Sequence, residues 1–135
     1  MSSATDLTQV TVDSHPNPWA EPLTKPIEQL NTYLCFMPDF AQGSNRAIQM
    51  HVRLTKPVAN RLKVRSVHLA QSAVGRKVGW TITAGPTFKE EAGSEMTGSY
   101  YILREESLQK AKERLSRDVY AVHGAWDLSK ANGLV

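Results

Sequence analysis

The chain has 135 residues and a formal net charge of +3, a length that accommodates one domain with a real core and excludes two. Apolar residues make up 41% of it, as in an ordinary soluble protein, and no apolar run reaches the ~18 residues that a bilayer crossing needs. The lone Cys35 excludes an intrachain disulfide, and no basic flank with an apolar stretch marks a signal peptide, so a soluble, cytoplasmic protein without membrane attachment is expected.

Residues 1–30 read as an irregular arm. Pro16, Pro18, Pro22 and Pro26 break any regular element, and Ser, Thr and Asp fill the intervals. The arm is either disordered or laid over the domain, and Trp19 and Leu23 are the side chains that would anchor it. The domain proper then spans 31–135, with no internal repeat or low-complexity tract.

Thr32 to Met37 is a short run rich in aromatic and apolar residues, closed by Pro38-Asp39, and predicts a strand. Gly43-Ser44-Asn45 is a turn. Ala47 to Thr55 alternates, with Ile48, Met50, Val52 and Leu54 on one side and Gln49, His51, Arg53 and Thr55 on the other. Period two over this length predicts a half-buried strand, which would form a hairpin with the first.

No acidic residue falls between Asp39 and Glu90, whereas Arg46, Arg53, Lys56, Arg61, Lys63, Arg65, Arg76 and Lys77 all do. Such a block attracts anions, either nucleic-acid phosphates or a carboxylate or phenolate on a small molecule. For most of these side chains a solvated helix face is the plainer reading. Nucleic-acid binders add aromatics or a recognisable module to a basic patch. This segment has Trp80 as an aromatic and no such module, so no nucleic-acid partner is expected.

Pro57 suits the first turn of a helix that runs to about Val74, with Val58, Leu62, Leu69 and Ala73 as its packed stripe and Gly75 as its stop. Arg61, Arg65 and His68 lie at i, i+4 and i+7 and so share one face of it. Two arginines and a histidine pressed toward a sheet look more like a site than a core, which suggests a small-molecule enzyme. Val78 to Ala84 is the next strand, with Val78, Trp80 and Ile82 on one face, and Gly85 to Thr97 is a polar loop. Gly98 to Arg104 is another strand. Ser107 is an N-cap for a helix with the stripe Leu108, Ala111 and Leu115. Asp118 follows that helix directly, and Gly124 to Leu128 begins a last short strand.

Without the arm and the extra strand the order is β-α-β-β-α-β. That is an α+β, ferredoxin-like layout: an antiparallel sheet with both helices on one face. The bare sheet face points to a homodimer paired face to face.

Three blocks in this part of the chain resemble the YCII-related family, a group within the dimeric α+β barrel superfamily. They are R-x-x-x-R-x-x-H-L (Arg61, Arg65, His68, Leu69), T-A-G-P (Thr83 to Pro86), and T-G-S followed by S-L-x-x-A and D-x-Y-x-x-x-G. The last takes in Thr97 to Ser99, Ser107 to Ala111, Asp118, Tyr120 and Gly124. The blocks cover about half of the chain and are specific only in combination. Ser66 and Val119 stand where the family often has Pro, and neither the arm nor Arg46 to Pro57 has a counterpart. The first family strand is therefore either 32–37 or 47–55.

The resemblance implies that His68 and Asp118 meet in a pocket between helices and sheet. It also implies a dehydrohalogenase-type or isomerase-like activity. The ending from Asp118 to Ala131 is most similar to small fungal members of secondary-metabolite pathways. A carboxylate on one imidazole nitrogen fixes the tautomer and equips the other for acid–base work. Asp118 at a helix end faces an unfavourable macrodipole, which a protonated His68 would compensate. The plain alternative is a structural His–Asp hydrogen bond. Arg61 and Arg65 are the candidate anion holders, Arg65 the stronger because it lies one turn from His68. Their alternative is pairing with Glu105, Glu106 or Asp118. His123 is close enough in sequence to line the same pocket, while His51 reads as exposed. Trp80, Tyr100, Tyr101, Tyr120 and Trp126 read as core or dimer-face residues. One or two of them, with Trp80 and Tyr120 as candidates, would stack on an aromatic substrate. Cys35 reads as packing.

No metal or cofactor is expected. The four histidines lack ligand spacing, and no G-x-G-x-x-G or G-x-x-x-x-G-K-[ST] is present. The leading expectation is a cofactor-independent isomerase, lyase or cyclase acting on an acidic or phenolic, polyketide-like substrate. Its rivals are a ligand-binding dimer without turnover and a salt-sensitive nucleic-acid binder.

Overall fold

Between Asn31 and Pro38 alternate side chains are buried: Tyr33, Cys35 and Met37 point into the core and Phe36 does not. This segment is β1 in the computed structural model of the protein, which describes residues 10–39 and 57–134. It is the strand expected over 32–37. The expected strand over 47–55, its hairpin, the turn before it and His51 lie outside the described residues.

The remaining elements are α1 (Pro57–Val78), β2 (Thr81–Phe88), β3 (Met96–Glu105), α2 (Leu108–Ser116), the short α3 (Val119–Val122) and β4 (Asn132–Leu134). The sheet order is β2-β3-β1-β4 with all neighbours antiparallel. This is the expected ferredoxin-like β-α-β-β-α-β order with one short helix added. Ser99, Tyr101 and Glu105 project from one face of β3, the first two to α1 and the last to α2, so both long helices cover the same face. Ser107 caps α2 by accepting from the Lys110 amide, and Ala111 and Leu115 are buried as its stripe predicts. Among the described residues no helix is long and apolar enough to cross a membrane.

Several expectations about local structure are corrected. Leu62, Leu69 and Ala73 are exposed; Val58 lies outside the residues whose side chains are described. The buried face of α1 instead carries Arg61, Val64, Val67, His68, Gln71, Ser72 and Gly75. Each polar side chain among them has a hydrogen-bond partner, buried for Arg61, His68 and Ser72 and half-buried for Gln71, which orients the helix more strongly than two leucines can. Gly75 does not stop the helix, which continues to Val78; the stop is Gly79 at φ 118°, a left-handed conformation that favours glycine. Gly75 provides clearance instead, since a Cβ there would meet Thr81 Oγ1 at 2.8 Å and Trp19 Cβ at 3.0 Å.

The strand expected from Val78 begins at Thr81, and a bulge between Thr81 and Thr83 puts Ile82 outside while Trp80 is buried. The expected loop over 85–97 shrinks, because β2 and β3 continue as a hairpin and Lys89 N donates to Glu95 O. In the last segment Trp126 makes only an isolated bridge to Asp39. Asp127 then caps a 3-10 turn, and β4 pairs with β1 from Asn132.

Residues 10–30 cross the helical layer. Gln71 Nε2 donates to the carbonyls of Val12 (3.0 Å) and His15 (2.8 Å), Asn17 donates back to the Gln71 carbonyl, and Trp19 is fully buried. Glu21 is gripped by Arg114 and Arg117, which hold its carboxyl below the usual range.

The T-G-S block has a steric reason at its centre. A Cβ on Gly98 would press on the Met37 carbonyl oxygen and lie 2.8 Å from the Pro38 Cα, both backbone atoms of β1. Gly98→Ala should therefore destabilise the fold by about 1–3 kcal/mol, read from the midpoint of urea denaturation.

Candidate functional site

Asp118 lies just past the end of α2 with extended backbone (φ −63°, ψ 147°) and serves as the N-cap of α3, its Oδ1 accepting from the Tyr120 amide at 2.9 Å. The expectation of an unfavourable helix dipole at Asp118 is thus corrected, because an N-cap faces the positive end of the helix it starts. The same Oδ1 lies 2.8 Å from His68 Nδ1, and Oδ2 accepts from the Trp19 indole at 2.8 Å. Both His68 and Asp118 are buried.

With Nδ1–H donating to the carboxylate, the Nε2 of a neutral His68 is left as an acceptor. It faces the Tyr101 hydroxyl at 3.5 Å, and that hydroxyl pairs with Ser72 Oγ at 2.9 Å. Stacking on Tyr120 (3.8 Å between centroids, 13° between planes) and an edge contact with Trp126 fix the plane of the imidazole. Burial, followed by the Asp118 charge, pushes the Tyr101 phenol well above its ordinary value. Burial also raises Tyr120 to about 12, against a partial offset from Arg61. Both are neutral phenols near pH 7.

Arg61 is buried, with Nη1 on Asp39 Oδ1 and Nη2 on Ser99 Oγ, both at 2.9 Å, and its guanidinium lies over the Tyr120 ring. Burial outweighs this pairing and leaves the Asp39 carboxyl raised. Glu105 and Glu106, the alternatives read from the sequence, are taken by Arg114 and by two lysines, Lys25 and Lys110. Arg65 is exposed and has no ion-pair partner among the described residues. Arg76 reaches the Ala84 carbonyl at 3.4 Å.

These side chains frame a pocket of about 140 Å³ between α1 and the β2–β3 hairpin. α1 supplies Arg61, Arg65, His68, Ser72 and Arg76; the T-A-G-P block supplies a thin wall of Ala84, Gly85 and Pro86; Tyr101 and Tyr120 complete it. No carboxylate lines it among the described residues. Proline is tolerated in β2 because that strand is at the sheet edge.

Two sequence candidates lie elsewhere. Trp80 is packed beneath Arg114, whose guanidinium is 3.6 Å from its ring centroid, and donates to the Glu21 carbonyl. His123 sits beside His15, and burial and that neighbour lower its pKa. Neither lines the pocket. Cys35 is buried in β1, and burial raises its thiol. Among the described residues no three His, Cys, Asp or Glu side chains gather as a metal cluster.

Ser72 and Arg76 were missed as site residues, although they continue the helical face of Arg61, Arg65 and His68. Ser99 was legible as part of T-G-S, but not as the shared acceptor of Arg61 and the Trp126 indole. Trp19 read as an anchor, with no local sign that it meets Asp118.

A model of the YCII-related domain matches residues 41–129. The chain belongs to the YCII-related family. No curated protein matches it. Among solved structures it is similar to 5-chloro-2-hydroxyhydroquinone dehydrochlorinase (TftG) from Burkholderia phenoliruptrix, in complex with 2,5-dihydroxybenzoquinone. The TM-score is 0.51 and the identity 18%, over 78% of this chain and 92% of that one. That likeness shows the fold.

Two outcomes follow from the geometry. Ser99→Ala strips an acceptor from two buried donors and should cost about 2 kcal/mol, measured by thermal or urea denaturation. At pH 10, the ordinary tyrosine value, Tyr101 and Tyr120 should both remain protonated. Replacing both by Phe should then leave the phenolate absorbance at that pH unchanged.

Proposed function

We propose that this chain is a cofactor-independent small-molecule enzyme that moves a proton through His68 and Asp118 on an acidic or phenolic ring. The observation that carries the reading is the buried His68, whose Nδ1 is committed to Asp118 and whose Nε2 faces the Tyr101 hydroxyl, in a pocket that His68 lines together with Tyr101, Tyr120 and three arginines. A hydroxyl or activated C–H of the ligand brought to Nε2 gives up its proton there, and the carboxylate holds the resulting imidazolium. The electron pair left on the ligand becomes a phenolate or enolate, which Arg65 neutralises from the pocket rim. Expelling a leaving group completes an elimination, returning the proton to another carbon completes an isomerisation, and internal attack closes a ring.

TftG, which shares the fold, is a dehydrochlorinase bound to a dihydroxybenzoquinone, and this supports a lyase-type reaction on a planar, acidic ring. The finer reading is a polyketide-like substrate in secondary-metabolite biosynthesis, in keeping with the resemblance of the Asp118 to Ala131 ending to small fungal proteins. It includes a cytoplasmic homodimer. The outer sheet face exposes Phe36 and Ile82, and a second copy would cover them.

The test is metabolite profiling of a strain that lacks the protein, complemented with wild type, His68→Gln or Asp118→Asn. Wild type should restore a product, and either variant should leave its precursor to accumulate, with turnover of that precursor reduced ~10²–10⁴-fold. A folded His68→Gln protein that restores the full profile overturns the catalytic reading. Binding of the precursor without turnover by the wild-type protein would make this a ligand-binding domain instead.

A further inference from the structure

Three donors converge on the Asp118 carboxylate: His68 Nδ1, the Tyr120 amide and the Trp19 indole. The last comes from outside the family match, which begins at residue 41. Trp19 stands in the 3-10 turn Pro18–Ala20, is fully buried, and stacks on Tyr101 at 4.8 Å with 7° between the planes. Tyr101 in turn presents its hydroxyl to His68 Nε2. One indole therefore touches the group on each side of the imidazole.

Its placement is over-determined. Asn17 caps the turn and bonds α1 at the Gln71 carbonyl, Arg114 holds Glu21 at 2.9 Å, and the missing side chain of Gly75 leaves room for the Trp19 Cβ. An indole N–H can only donate, so it fixes an acceptor without competing for the proton in play. It occupies the oxygen that water would otherwise solvate, and it stops the carboxylate from rotating Oδ1 away from His68.

We propose that Trp19 is a positioning residue of the His68–Asp118 pair, so that the segment preceding β1 forms part of the site's supporting wall. This rests on the reading of that pair as the acid–base unit.

The experiment is NMR of the full chain labelled with ¹⁵N, following the His68 Nδ1 proton and the Trp19 indole proton. Trp19→Phe keeps an aromatic ring and removes the donor. The His68 proton should be displaced, and its exchange with solvent should quicken about tenfold, in a chain that remains folded. Gln71→Leu loosens the same segment without touching the carboxylate, so it should lower Tm and leave the His68 proton in place. The proposal is overturned if Trp19→Phe leaves the His68 proton unmoved, or if Gln71→Leu moves it equally. Asp118→Asn separates the two levels. If it leaves the His68 proton unchanged, the pair itself is absent and both readings fall; if it moves that proton and Trp19→Phe does not, only the role of Trp19 falls. Should Trp19→Phe not fold, the indole proton decides, assigned by elimination with Trp80→Phe and Trp126→Phe. It should be protected in the wild type and displaced in Asp118→Asn, and an indole proton indifferent to Asp118→Asn overturns the proposal.

Discussion

A carboxylate removed from water is tolerable only where donors surround it, and the donors around Asp118 arrive from distant parts of the chain. His68 comes from α1, the indole of Trp19 from the segment before β1, and the amide of Tyr120 from the helix that Asp118 itself begins. Satisfying this one group fixes the rotation of α1 about its axis. It also sets the turn between α2 and α3, and the line along which residues 17–21 cross the helical layer. A purely apolar contact would constrain none of these directions, because hydrophobic burial is indifferent to orientation.

The same logic recurs at two other buried charges. Arg61 is held by Asp39 and Ser99 with its guanidinium over Tyr120, and Arg114 by Glu105 and Glu21 with its guanidinium over Trp80. Each joins a helix to the sheet or to the segments beside it through hydrogen bonds, and each lays its flat cation on an aromatic face. The space between sheet and helices is thus partly a polar framework, with Cys35, Leu103, Ala111 and Leu115 supplying ordinary apolar packing alongside. Such a framework specifies geometry more sharply than it adds stability, which suits a layer that has to hold an imidazole in one plane.

That framework also explains what the sequence revealed and what it concealed. β1, β3 and α2 follow local rules, namely period two, aromatic content and the Ser107 cap, and they were legible with the element order. The face of α1 was not. Leu62 and Leu69 advertise an apolar stripe, yet the buried face belongs to residues whose partners are far away in sequence: Asp39, Ser99, Tyr101 and Asp118. Gly75 reads as a helix stop because local propensity cannot show the approach of Trp19. Arg61, Arg65 and His68 share a face by spacing alone, and extending that spacing would have reached Ser72 and Arg76. His68 and Asp118, separated by 50 residues, came together only through the family resemblance. The indole on Asp118, 99 residues away in the chain, had no pattern to announce it.

The acid-free block between Asp39 and Glu90 acquires a physical meaning from these contacts. Arg61 spends its charge on Asp39, the last acid before the block, whereas Arg65 and Arg76 meet no carboxylate among the described residues. The phenols of Tyr101 and Tyr120 are neutral near pH 7 and do not cancel the field. Leu69, half exposed at the rim, adds an apolar surface on which a planar ring can rest. A pocket built only to hold an anionic ring would need these arginines and that rim. The proposed reading adds to them the His68 imidazole, backed by a desolvated carboxylate that is tolerable because three donors are organised around it. In the proposed reading the buried Asp118 therefore serves twice, fixing how the helices pack and keeping the His68 imidazole oriented for proton transfer.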